Sequence, residues 1–569
     1  MRRRVRPMTR PAPTSPLSRR EVLVLGGMGA ATVLLSRCTG LVAPTGGGAV
    51  RLPFGPIDRT IGDVAPRAFS GDEPEAAHKV LWDRDAFLSS AGGAPVAAEQ
   101  VPLVVVGGGL AGLTAAWQLR AHRPVVLERA RRFGGNSRGE SWRGADYAIG
   151  AAYFIRPDEG TPIASLLASL DLDDAPRVKQ TEDPVIIAGS RFERFWDGES
   201  TADGTEQVRR LARHFRAVLA EEDGEVFPEI PVLDPARRAE LDALDRRTFH
   251  AYLSDVAGGP LHPHVEAVIE HYCWSSFGAS MTELSAAAGL NFYAAEFGDV
   301  CVLPGGNAAV AERLVERLAA ELPPQHLRPA SLVLEVACDA AGAVVTYADR
   351  AGKLRSLRAH VVVIACPKFV AQRVVRDLEP ERRAAIDRLR YRAYLVANVL
   401  LRRPLADDFY DLFLAGDGRG DLRGVERAAI AQGVTDVVLG TWARPERDRA
   451  ILTLYRAVPY DGARLQLLGD DAYATMRAEF ERQITAEILP LVRAGEGDVV
   501  DLRLARWGHP LPVAEAGLIA DGVPEVLRAP FAGRVFFAQQ DDWALPAFET
   551  AITEALLVAP EVDRVLRRG

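Results

Sequence analysis

The feature that most constrains this chain is residues 101–128, VPLVVVGGGLAGLTAAWQLRAHRPVVLE. Residues 103–106 are apolar and mostly β-branched, the composition of a strand buried on both faces of a parallel sheet. Gly107, Gly109 and Gly112 follow at G-x-G-x-x-G spacing. Residues 113–119 then read as a helix, and residues 124–127 as a second strand ending in Glu128. This succession is a βαβ unit carrying a dinucleotide-binding fingerprint. The first glycine permits the tight turn, the second lets backbone approach a pyrophosphate, and the third lets helix pack on strand. Leu110 and Ala111 lie in the glycine loop just before the helix, whose free N–H groups and dipole favour phosphate. Glu128 lies sixteen residues beyond Gly112, placed to accept hydrogen bonds from an adenosine ribose. The alternative is an unliganded glycine turn with Glu128 as a solvated strand end. The ordered succession of all five parts favours the ligand.

The 569 residues are 48% hydrophobic and 25% charged, enough for two or three globular domains. Net charge is −8, but it is unevenly spread. The first 38 residues hold eight of the 68 basic and one of the 76 acidic residues, leaving 60 against 75 in the remainder, or −15. A body of that sign does not attract nucleic acid or an anionic membrane by charge. None of the five cysteines sits at metal-ligand spacing, so no metal site is expected. H-E-x-x-H and P-loop motifs are absent from the sequence.

Residues 1–20 are basic and proline-rich and end in Ser18-Arg19-Arg20; residues 22–35 are apolar but short. These are an n-region and an h-region. Ser-Arg-Arg-Glu-Val-Leu resembles the twin-arginine export signal. The resemblance implies handling by the twin-arginine translocation machinery, folding and cofactor loading before export, and a periplasmic or otherwise extracytoplasmic destination. Residues 34–38 partly resemble a lipobox, with Arg37 in place of its small residue. Two readings stay open: Cys38 is lipidated, which would be the one membrane attachment, or it is a plain cysteine near a cleavage site. Residues 39–100 read as a linker and surface extension. No other segment reaches the ~18 consecutive apolar residues of a membrane span.

After Glu128 the chain reads RARRFGGNSRGE, residues 129–140. Gly134 and Gly135 lie where a loop meets the phosphates a second time, and Arg129 and Arg138 add charge beside it. This favours FAD over NAD, because a nicotinamide-binding domain continues directly into further βαβ units and this chain leaves the sheet. The whole set resembles the flavin-containing amine oxidase superfamily, which includes monoamine and polyamine oxidases, protoporphyrinogen oxidase and carotenoid desaturases. The implied fold class is α/β: a Rossmann-like FAD-binding domain interleaved with an α+β substrate domain of mixed sheet plus helices. On this chain the FAD domain falls at residues 101–161, 292–375 and 500–569, and the substrate domain at 162–291 and 376–499.

The resemblance also assigns positions. Residues 147–154, YAIGAAYF, would pass beside the isoalloxazine ring at Gly150 and Ala151. Val333 would give adenine a backbone contact. In the closing segment Gln540 and Asp541 stand at the acid that binds ribityl hydroxyls, and Thr550 at the helix N-terminus near the ring. The chain departs from the family in several places. Asn136 follows the glycine pair where arginine is usual, and Ala148 and Gln540 replace acids. Thr550 replaces a glycine, Arg373 stands near a lysine position, and Ala547 replaces a tyrosine of the aromatic frame.

The activity implied is an FAD-dependent oxidoreductase that takes hydride from a C–H bond of a small molecule, an amine first of all. Dehydrogenation or desaturation of an apolar C–C bond, and flavin binding without turnover, are the alternatives. Trp507 and Trp543 are the candidate replacements for the missing frame aromatic, and Lys368 is the lysine nearest the expected catalytic position. His271, Tyr272, Cys273 and Trp274 form a dense cluster that lines either a substrate cavity or an ordinary helical core.

Overall fold

The C-terminal half of the central strand, Glu99–Val106, is apolar from Leu103 onward because helices and neighbouring strands cover it there. It runs parallel to Val125–Leu127 on one flank and Leu354–Ile364 on the other, with Val104 opposite Val125 and Val105 opposite Val363. Leu327–Arg328 extends the parallel set at one edge. Val535–Phe537 joins it beside the C-terminal end of Leu354–Ile364. The N-terminal half of that long strand pairs antiparallel with Gly342–Ala348, which pairs with Leu332–Asp339. Three stretches far apart in sequence therefore share one seven-stranded sheet. This computed structural model describes residues 60–61, 68–419 and 424–568. The expected export signal and Cys38 lie outside the described residues.

The chain divides into two compact units. Of the first, only residues 85–93 are described, and they hold most of the short helix Arg84–Ser90. Everything else below belongs to the second. Its fingerprint turns as the glycines require. Gly107 has φ +112°, and a Cβ on Gly112 would lie 2.0 Å from the Gly107 carbonyl oxygen. Helix Leu110–Gln118 packs on Phe548–Leu566 and Ala308–Glu321. Leu103, Leu113, Val361, Ile552 and Ala555 form the core between sheet and helices.

A second sheet has eight strands, in the order Ser190–Phe192, Val185–Ile187, Phe413–Leu414, Asp436–Leu439, Ala450–Val458, Tyr391–Leu401, Val499–Pro512 and Ser70–Gly71. Tyr391–Leu401 is buried along its whole length between two antiparallel neighbours. Helices Thr205–Ala220, Phe249–Ala257, Pro263–Phe277 and Ala286–Ala295 make an aromatic core, with Phe215 and Tyr293 rings 4.9 Å apart. Residues 238–256 form two helices, because Thr248 accepts the Ala251 N–H and restarts the chain as an N-cap. Two boundaries differ from expectation. Val499–Pro512 belongs to the second sheet, so the return to the cofactor sheet comes after Pro512. Residues 70–71 of the extension form that sheet's edge strand. Among the described residues no helix is long and apolar enough to cross a membrane.

Candidate functional site

Where the fingerprint loop leaves its strand, a second loop docks on it: the Gly134 N–H donates to the Gly108 carbonyl at 2.7 Å. Glu128 ties the two loops together. Its Oε2 accepts the Gly108 N–H and its Oε1 the Ala130 N–H, both at 2.7 Å. Each carboxylate oxygen keeps a second lone pair for a further donor. Gly109 caps helix Leu110–Gln118 without a side chain, so the first-turn N–H groups are not taken by a cap. Arg138 donates from Nε to the Gly135 carbonyl at 3.0 Å and lies over the Trp507 ring, 4.9 Å from its centroid. Burial lowers its pKa to about 10, which leaves it cationic at neutral pH.

These loops open on a cavity of about 960 Å³, at the upper end of the ~300–1,000 Å³ typical of ligand sites. Gly107, Gly109, Leu110, Ala111, Glu128 and Arg129 line it from the fingerprint. Gly134, Gly135, Asn136 and Arg138 line it from the second loop, and Gly150, Ala151, Val333, Gln540 and Thr550 from the remaining segments. Gly112 lies behind the wall, against Gly107. The site fits FAD on its own evidence. Thr550 Oγ1 and Asn307 Oδ1 are buried with no hydrogen-bond partner, although both residues line the cavity. A Cβ on Gly150 would meet the Asn136 carbonyl oxygen at 1.9 Å, so only glycine lets this segment pass so near the second loop. Val333 and Glu128 would hold the adenosine half, the helix N-terminus the pyrophosphate, and Gly150, Ala151, Gln540 and Thr550 the ring half.

Three expected residues do not reach the cavity. Lys368 is 1% exposed; its Nζ is ion-paired with Asp542 and donates to the Leu527 carbonyl at 3.2 Å. Trp543 is 2% exposed and donates to Glu554 Oε1 at 2.7 Å. The catalytic reading of both is therefore corrected: they belong to a buried polar network behind the closing loop. Asp541 staples that loop in place, accepting the Tyr391 hydroxyl at 2.5 Å and the Lys368 N–H at 2.9 Å. Burial raises its pKa to about 6, and it does not line the cavity, so its expected ribityl contact is absent here. Arg373 also stays outside, over the Trp82 ring. Trp507 does line the cavity, fixed by its Nε1–H to the Ile149 carbonyl at 2.7 Å.

The cavity continues into the second sheet, and there it is acidic. Asp183, Glu296, Asp411 and Asp436 line it, together with Tyr153, Tyr272, Tyr394, Tyr410 and Tyr455. Glu296 Oε1 accepts the Tyr153 and Tyr272 hydroxyls at 2.6 and 2.9 Å. Asp436 Oδ2 accepts the hydroxyls of Ser275, at 2.6 Å, and Thr435. Asp411 Oδ1 accepts the Val437 N–H at 3.2 Å. Burial pushes the Asp436 pKa up to about 6. Burial, then the charges of Asp436 and Asp183, holds Asp411 well above the ordinary carboxylate range. The Tyr410 hydroxyl is buried with no partner. Tyr455 links this compartment to the ring segment, donating to the Gly150 carbonyl at 2.7 Å. Helix Pro263–Phe277 contributes Tyr272 and Ser275, whereas His271 faces its own helix, bonded to the Ala267 carbonyl. Burial lowers the His271 pKa to about 4.

Comparison with known proteins gives the same picture. The chain is 23% identical over 525 residues to oxidoreductase PigB of Serratia sp. (strain ATCC 39006), an overlap of 82% of this chain and 76% of that one. Putrescine oxidase bound to putrescine shares the fold at 19% identity and a TM-score of 0.59, over 82% of this chain and 99% of that one. Cyclohexylamine oxidase from Brevibacterium oxydans IH-35A does so at 20% identity and a TM-score of 0.59, with the same coverage. Residues 110–434, more than half of the chain, match the family model described as flavin containing amine oxidoreductase. The chain belongs to that family and is an FAD-dependent oxidoreductase.

Proposed function

We propose that the protein oxidises an amine at the carbon beside its nitrogen. The observation that carries this reading is the compartment of four carboxylates, Asp436 buried and Asp183, Glu296 and Asp411 half-buried, next to the Gly150 segment, with an unpartnered tyrosine hydroxyl among them. Acids at this density favour a cation, since ionised carboxylates withdrawn from water are costly unless paired. A carboxylate-bearing substrate would be repelled. Two structural neighbours, a putrescine oxidase and a cyclohexylamine oxidase, agree with an amine.

Bound FAD supplies the hydride acceptor. The chain's own residues do the rest. Asp436 and Asp411 draw the ammonium in, and Asp436, with its pKa near neutrality, is suited to hold the proton the nitrogen gives up. Tyr394 and Tyr455, whose rings meet edge to face at 5.9 Å, and Trp507 frame the substrate and keep water out. A panel of donors mixed anaerobically with the holoprotein tests this. Primary or cyclic amines should bleach the flavin, while alkyl carboxylates and alkenes should leave it yellow. Bleaching by an apolar donor and by no amine would overturn the reading. Peroxide release on readmitting air then separates oxidase from dehydrogenase.

A further inference from the structure

The acid compartment holds a cation of the protein's own. Lys179 lines the cavity and is 6% exposed, and its Nζ is ion-paired with Asp183. Its backbone is fixed, because strand Arg177–Lys179 pairs with Val300–Val302 and sets Lys179 opposite Val300. Burial works against its charge. Asp183 and then Glu296 outweigh that, with Asp411 adding to them, so Lys179 grips its proton more firmly than a free lysine. The opposite arrangement prevails at Asp436, whose Oδ2 meets two hydroxyls, and at Asp411, whose Oδ1 meets a backbone N–H. The Tyr410 hydroxyl, 5% exposed, is still unsatisfied. The compartment thus has one carboxylate, Asp183, already neutralised by a lysine, and another, Asp436, that meets only hydroxyls.

We propose that Lys179 is a specificity-determining residue: it fills the Asp183 end of the compartment as a built-in ammonium, so the site accepts a substrate with one positive charge and rejects one with a second, distal charge. This rests on the amine reading and narrows it to monoamines. A diamine reaching past Asp436 would bring its second ammonium against Lys179. Two like charges a few ångströms apart away from bulk water should weaken binding by at least about tenfold. Removing the lysine would free Asp183 to take that distal charge instead.

The test is calorimetric binding to reduced holoprotein, which cannot turn over, with hexylamine and 1,6-diaminohexane as probes. Wild-type protein should bind hexylamine at least about tenfold more tightly. Lys179→Met should abolish or invert that order, and Lys179→Arg should preserve it. A wild type that binds the diamine as tightly as the monoamine overturns the proposal. So does a folded Lys179→Met protein with the wild-type order. If Lys179→Met does not fold, the wild-type comparison still decides. Binding of neither probe would instead overturn the amine reading on which the proposal stands.

Discussion

Gly109→Val should give a folded, colourless protein. Gly109 has φ −80° and ψ −177°, extended backbone open to any residue. A Cβ there would lie 3.6 Å from Gly135 Cα, an ordinary van der Waals contact. The protein itself therefore tolerates a side chain at this point. The cost falls on the ligand, because a branched side chain would stand between the two loops where the pyrophosphate must pass. Losing two charge-assisted hydrogen bonds to phosphate costs at least about 3 kcal/mol, or a hundredfold in affinity. Gly112→Ala behaves differently, because its Cβ would strike the Gly107 carbonyl at 2.0 Å and disturb the fold. Flavin-to-protein ratio and thermal unfolding, measured together, separate the two cases. Normal flavin content in Gly109→Val would remove the pyrophosphate from this loop.

Asp436→Asn should have the second large effect. The amide keeps an oxygen to accept the Ser275 and Thr435 hydroxyls, so the strand end should stay in place. What disappears is the charge. Losing one partner of a buried ion pair costs about 3–5 kcal/mol, which is about two to four orders of magnitude in kcat/KM for an amine. The wild type should also show a characteristic pH dependence toward a permanently charged probe such as butyltrimethylammonium. A cation favours ionised Asp436, so affinity should rise as pH increases through about 6 and level off above it. Asp183 and Asp411, both raised by burial, share the field with Glu296, so the part of the slope that flattens in Asp436→Asn is the part Asp436 contributes. A variant with wild-type kcat/KM and an unchanged profile would exclude Asp436 from amine binding.

The cofactor loops were legible in the sequence because their requirements are local and made by backbone. Gly112 answers to the Gly107 carbonyl and Gly134 to Ser137, each within five residues of itself, whereas Gly107 also makes room for Ala365, far along the chain. The acid compartment was not legible. Asp183, Glu296, Asp411 and Asp436 come from four separate segments with no spacing to connect them, and each alone reads as a surface acid. Only the meeting of the second sheet with the helices makes them a site. Lys368 and Trp543 show a different limit: both stand near the positions the resemblance singles out. Orientation decides their role, and both side chains turn into the network around Asp542 and Glu554.

Amine oxidation by this protein requires an acid-lined compartment that opens onto the flavin and holds the substrate nitrogen there. The decisive measurement is the structure of the reduced holoprotein with a bound monoamine. It should show isoalloxazine against Gly150 and Ala151, the amine nitrogen within hydrogen-bond distance of Asp436 or Asp411, and Lys179 still paired with Asp183. An amine bound outside the compartment, or a ring lying away from Gly150, would contradict it.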